Sequence, residues 1–154
     1  MAPRTVKGPT TMKRSFAVAA LVAVVATACG GASSGNVAVD DPWARTSAMM
    51  QSAGAVYMEL SADEADALVA ASVDPSIAPT VEIHETSGDG DMMSMSPVDS
   101  IELPAGGTVT LEPGGYHIML LGLVAPLEDG QTFDLTLEFE NGGTQTVEVE
   151  VRDN

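Results

Sequence analysis

Residues 132–151 alternate so regularly that they fix a β-hairpin. Phe133, Leu135, Leu137 and Phe139 occupy every second position, against Asp134, Thr136, Glu138 and Glu140. Val147, Val149 and Val151 do the same against Glu148 and Glu150. Successive side chains of a strand point to opposite faces, so each run has one apolar and one wet face. Asn141-Gly142-Gly143 lies between them and carries residues that a tight hairpin turn accepts. The rest of the chain follows the same grammar. Further strands are expected over 37–39, 55–60, 67–73, 80–85, 92–95, 100–103, 108–111 and 116–123, with the hairpin strands over 132–140 and 144–151. Any helix is short, with 62–67 and 75–78 the only candidates. Short strands separated by Gly and Pro turns predict an all-β sandwich or barrel.

The first 28 residues read as a targeting segment rather than as part of this fold. Arg4, Lys7, Lys13 and Arg14 form a basic stretch, and the apolar run Phe16 to Ala28 is too short to span a bilayer. Ala26-Thr27-Ala28-Cys29-Gly30 resembles a bacterial lipobox, which implies cleavage before Cys29 and lipid on its sulfur. The alternative is an ordinary signal peptide with Cys29 incidental. Cys29 is the only cysteine, so no intramolecular disulfide can form. Residues 29–36 are then the lipidated cysteine and a Gly/Ser-rich linker, with a reach of roughly 15 Å. Residues 37–154 make a single domain.

Charge excludes one class of function. All 22 acidic residues follow Cys29, whereas four of the six basic ones precede it. Two arginines against 22 carboxylates leave the processed chain at −20 with neutral histidines. Nucleic-acid binding needs a basic surface, and anionic lipid would repel this one. Membrane attachment therefore falls to lipid on Cys29. The acidity itself serves solubility, or steers cations or a basic partner patch.

Both histidines of the chain, His84 and His117, belong to one pattern with two methionines: His84-x10-Met95-x21-His117-x-Met119. Imidazole and thioether together suit a soft monovalent ion, Cu(I), over Mg(II) or Ca(II), and two such pairs add no negative charge to it. In the expected strand 116–123, His117 and Met119 project side by side, with Ile118 facing the other way. The turn-rich stretch Thr86 to Asp91 allows the chain to fold back and carry Met95 toward His84. Spacing by itself leaves open whether those two residues meet His117 and Met119.

The four residues and their surroundings resemble the PCu(A)C family of extracytoplasmic copper chaperones, whose motif is H-x10-M-x21-H-x-M. Matching blocks are Trp43-Ala44-Arg45, Ala53 to Met58, Val81 to Glu85, Ile101 to Gly107 and Pro113 to Leu120, and the similarity runs from about Val37 to about Val151. The resemblance implies a cupredoxin-like β-sandwich that carries Cu(I) to the copper centres of cytochrome c oxidase, directly or through another copper-transfer protein. It implies metal-ligand roles for His84, Met95, His117 and Met119 only. Some members carry a His- and Met-rich C-terminal extension for Cu(II); Val151-Arg152-Asp153-Asn154 has no such residues. The rival functions are a copper-buffering or resistance lipoprotein, and an envelope interaction domain with a vestigial site.

Other features weigh less. Met93 shares the parity of Met95 and is a candidate spare thioether, although a packing or rim role is the simpler expectation for Met92 and Met93. Met49 and Met50 stand in a polar loop as a candidate copper-catching pair, and Met58 reads as core. Asp89-Gly90-Asp91 with Glu85 lacks the ligand pattern of an EF-hand and reads as a solvated turn. Tyr116 is expected on the face away from His117, and Trp43 over one pole of the sandwich. The sequence does not suggest an enzyme. It offers no nucleophile–base arrangement, no cysteine for a blue-copper centre and no three-ligand zinc site.

The lipobox makes a direct prediction. Cys29→Ser should abolish incorporation of a lipid probe and move the protein out of the membrane fraction; labelling and fractionation equal to wild type would refute lipid attachment at Cys29.

Overall fold

The computed structural model describes residues 37–88 and 92–153. The targeting segment, Cys29, the linker and Asp89-Gly90-Asp91 lie outside them. Ten strands follow in order: β1 Val37–Arg45, β2 Ala53–Ala62, β3 Asp66–Val73, β4 Thr80–Ser87, β5 Ser94–Pro97, β6 Ile101–Leu103, β7 Gly107–Leu111, β8 Tyr116–Leu121, β9 Thr132–Phe139 and β10 Gly143–Arg152. Every expected strand is present. The main shifts in bounds are β1, which runs on to Arg45, and β5, which begins at Ser94 instead of Met92.

The two helix candidates are turns. Residues 62–67 hold the end of β2, a bend and the start of β3. At 75–78 the Asp74 carboxylate accepts the Ser76 amide at 2.8 Å, and the Asp74 carbonyl accepts that of Ile77 at 2.9 Å. This local carboxylate–backbone bond offers the chain a turn in place of a helix.

The strands form one sheet in the order β5-β4-β8-β7-β2-β1-β10-β9-β3-β6, with β2 also bonded to β8. β2 divides its length between two partners, Ala53–Val56 against β8 and Met58–Ala62 against β7. The β9–β10 hairpin pairs from Phe139↔Gly143 to Thr132↔Glu150, so its turn lies over 140–142 and Gly143, expected in the turn, opens β10. Its apolar face, Phe133, Leu135, Leu137 and Phe139, joins Val56, Met58, Leu60, Ile83, Ile118 and Leu120 in one buried cluster. The sheet therefore curls round a single core.

Two devices have no counterpart in the alternation. The first is a bulge in β1. Pairing runs Asp40↔Glu59 and then Trp43↔Tyr57, so one extra residue enters β1, and Asp41 there takes φ 46°. A bulge of one residue reverses side-chain parity along the strand. Val37 and Val39 thus face the core before it and Ala44 faces the core after it, which turns Trp43 and Arg45 to the other side. Arg152 of β10 pairs with Asp41 at 2.8 Å and with Glu150 at 3.0 Å, across the bulge.

The second device is Asp66. Its carboxylate accepts the amides of Ala67 (2.8 Å), Asn141 (2.9 Å) and Gly142 (2.8 Å), and so ties the start of β3 to the β9–β10 turn. Burial pushes the Asp66 carboxyl up, but these bonds and the Asn141 side chain together hold it below the usual carboxylate range. Asp66→Ala should destabilise the folded domain by about 2–3 kcal/mol at neutral pH, since backbone donors lose a charged acceptor. A depressed folded pKa contributes stability that is present above the unfolded value near 3.9 and lost as pH falls through the folded one. Denaturant unfolding of both proteins should show the gap at pH 7 and a narrower gap below about pH 3; a pH-independent gap would contradict the role of the charge.

Candidate metal centre

The face of the sheet opposite the core carries the candidate residues. Ile83 and Ile118 oppose each other on the core side of the β4–β8 pair, and the next pair along, His84↔His117, projects to the other side. The two imidazole centroids are 5.7 Å apart. Met119 stands opposite Glu82 of β4 on one flank and Ala55 of β2 on the other. Met95 stands opposite Thr86, two residues along β4 from His84. Three adjacent strands, β8, β4 and β5, thus place all four residues on one face. The chain reversal after Ser87 sets β5 antiparallel to β4 and achieves what spacing left open.

Rings continue across the sheet. Tyr57 lies 6.4 Å from His117, and Trp43 lies 4.7 Å from Tyr57. Trp43 packs against Tyr57 with the rings tilted by 39°, and the β1 bulge is what turns it there. Tyr116 packs against the core on the opposite face, as its parity requires.

Hydrogen bonds fix which nitrogen of each imidazole is free. His117 Nδ1 lies 3.2 Å from the Gly115 carbonyl, which can only accept, so Nδ1 carries the proton and Nε2 the lone pair. His84 Nε2 lies 2.8 Å from the Glu82 carboxylate, so Nε2–H donates and the lone pair is on Nδ1. That His84 Nδ1 is buried and has no hydrogen-bond partner. A carboxylate behind an imidazole fixes the tautomer and orients the ring, the arrangement that accompanies metal-binding histidines.

A cleft of about 500 Å³ opens on this face, with Met95, His117 and Met119 in its wall together with Met93, Tyr57 and Arg45. His84 is not part of that wall; it adjoins the cleft through the His117 ring. Burial divides the set. His84 and His117 are 9% and 4% exposed, whereas Met95 is 60% exposed. The imidazoles are held and the Met95 thioether is open to solvent. Burial holds the His117 pKa below the ordinary histidine value; the Gly115 bond opposes this and nearby His84 adds to it. Burial also raises the Tyr57 phenol, against the pull of Arg45.

Glu82, Tyr57 and Arg45 belong to the site and were not read from the sequence as part of it. Glu82 was available in principle, since it stands two positions before His84 and shares its face. Tyr57 and Arg45 needed the β1–β2–β8 register. Met49 and Met50 are 89% and 98% exposed in the loop before β2, and Met92 is 81% exposed. Met58 is buried in the core at 2% exposed.

The family described as "Putative lipoprotein LpqE-like" matches residues 37–151. The "Putative lipoprotein Lxx21020" of Leifsonia xyli subsp. xyli (strain CTCB07) is 46% identical over 79 residues, 51% of this chain and 48% of that protein. The match thus spans about half the length of that curated relative. Among solved structures, the copper-bound PCuAC domain from PmoF2 superposes with a TM-score of 0.65 at 26% identity, over 78% of this chain and 95% of that domain. The Cu(I) form of DR1885 from Deinococcus radiodurans superposes with a TM-score of 0.58 at 33% identity, over 75% of this chain and 79% of that one. These likenesses bear out the all-β, cupredoxin-like sandwich.

The depressed His117 pKa is measurable without metal. An NMR titration of the apo protein should place His117 below the ordinary value of about 6.5, with the proton on Nδ1 in the neutral form. The neutral ring then contributes stability above that ordinary value and loses it as pH falls through the folded one. A midpoint at or above 6.5 would contradict the burial seen here.

Proposed function

This chain is a member of the LpqE-like lipoprotein family, and from that premise we propose that it is a lipid-anchored, extracytoplasmic carrier that binds Cu(I) through His84, Met95, His117 and Met119 and hands it to a copper centre of cytochrome c oxidase. The observation that carries this reading is the cross-strand His84–His117 pair with Met119 and Met95 on the same face. The donor set is neutral and soft, which favours a monovalent copper ion over hard divalent cations. Among the described residues no three His, Cys, Asp or Glu side chains converge as a metal-holding group, so any selectivity here falls to the thioethers. The solved PCuAC domain from PmoF2 and the Cu(I) form of DR1885 support the same choice of cargo.

The geometry suits capture and release. His117 and His84 present fixed lone pairs, and neither must reorganise its hydrogen bond to do so. Met95 and Met119 add uncharged sulfur donors, which resist the oxidation that thiolates undergo outside the cytoplasm. Met95, being exposed, is the donor that an incoming acceptor can displace first. A domain at −20 attracts the cation and holds it near the membrane through the lipid on Cys29.

Anaerobic Cu(I) titration against a competing chelator tests the reading. One Cu(I) should bind per chain, with nitrogen and sulfur in its X-ray absorption shell. His117→Ala and Met119→Leu should each lower affinity about tenfold or more, the scale reached even by changes behind a metal ligand. Met119→Leu conserves volume and should leave apo unfolding nearly unchanged. A shell of oxygen and nitrogen alone, or unaltered affinity in both variants, would refute the site. Oxidase activity in a deletion strain separates delivery from buffering: delivery predicts a loss that added copper restores, and full activity without added copper would refute it.

A further inference from the structure

Met93 lines the same cleft as Met95, His117 and Met119. It stands just before β5, two residues from Met95, and its side chain reaches toward Gly114, another residue of the cleft wall. The Met93 methyl lies 4.0 Å from the point where a β-carbon on Gly114 would sit. Gly114 precedes Gly115, whose carbonyl accepts both the Thr86 amide at 3.0 Å and His117 Nδ1 at 3.2 Å. The Met93 thioether thus rests against the turn that orients the His117 ring.

The approach of this segment is built into the fold at Gly88. Gly88 has φ 138°, and a β-carbon there would fall 2.2 Å from the Met92 carbonyl oxygen and 3.0 Å from Met93 Cα. Only glycine lets the two limbs of the β4–β5 hairpin close to this separation. The closure holds Met93 beside the end of β4, where its side chain lines the cleft and is 56% exposed. Leucine or valine would serve a packing role as well. Methionine is the one apolar side chain with a soft donor atom.

We propose that Met93 is a second thioether donor for the bound Cu(I), interchangeable with Met95. This rests on the copper reading of His84, Met95, His117 and Met119. Cu(I) has a filled d shell and tolerates changes of coordination number, so Met93 Sδ donates its lone pair as Met95 Sδ leaves. The ion keeps a sulfur partner on the β5 side throughout, and an acceptor ligand enters by replacing one thioether at a time. Five donors for four positions make the open edge of the site exchangeable while the imidazoles stay fixed.

A double-mutant cycle on the protein tests this, with Cu(I) as the probe and chelator competition and X-ray absorption as readouts. Met93→Leu alone should change affinity by less than about threefold, and Met95→Leu alone by less than about tenfold, because each replaces the other. The double variant should lose more than the product of the two. The copper shell of Met95→Leu should keep two sulfurs and that of the double variant only one. Affinity in the double variant equal to Met95→Leu alone, or a single sulfur in Met95→Leu, overturns the proposal. Failure of the copper reading looks different: wild type takes up no Cu(I), or His117→Ala binds it as wild type does.

Discussion

The site depends on the pairing of β4 with β8. Ile83 and Ile118 face each other inside the core, and this one contact dictates that His84 and His117 face each other outside it. The side-chain period of a strand is two, so a slip of β4 by one residue would exchange its two faces completely. Such a slip of β4 would turn the His84 imidazole into the hydrocarbon core and Ile83 out of it. The hydrophobic demand of the core therefore holds the imidazoles at a fixed separation, with no bond between them needed. Met119 follows automatically, two residues on.

Much of this was legible because it follows from alternation. The Phe133 to Phe139 face is the core face of β9, the hairpin turns within one residue of the expected place, and His117 and Met119 share a side as their spacing requires. Tyr116 falls opposite for the same reason. What escaped was whatever breaks or crosses the period. The extra residue at Asp41 reverses parity in β1 and brings Trp43 and Arg45 to the site, and no count of apolar positions marks it. Asp66 binds amides of a turn 75 residues away, so its role is invisible locally. The two candidate helical stretches are not helices, because Asp74 closes its own turn and residues 62–67 are claimed by strand ends.

The placement of charge is also a result of register. Asp134, Glu138, Glu148 and Glu150 lie on the wet face of β9 and β10, where they keep the sheet soluble. Of the two arginines after Cys29, Arg152 bridges Asp41 and Glu150, and Arg45 lies in the wall of the cleft. The cleft thus combines two imidazole-bearing strands, thioethers and one guanidinium inside an otherwise acidic domain. Solubility and attraction of a cation are compatible uses of the same carboxylates, because those on β9 and β10 stand on other strands from the candidate ligands.

The bulge in β1 makes chain length itself a binary variable. Between Val39 and Trp43 the strand may lose or gain two residues and still aim every later side chain as now. A change of one would turn Arg45 toward the core and Ala44 toward the cleft, and would set a guanidinium among Val56, Ile118 and Val151. That outcome is costly enough that the strand would sooner abandon its parallel pairing with β10. Single-residue insertions and deletions, tolerated in most surface turns, are therefore costly in this strand, which is bonded on both sides.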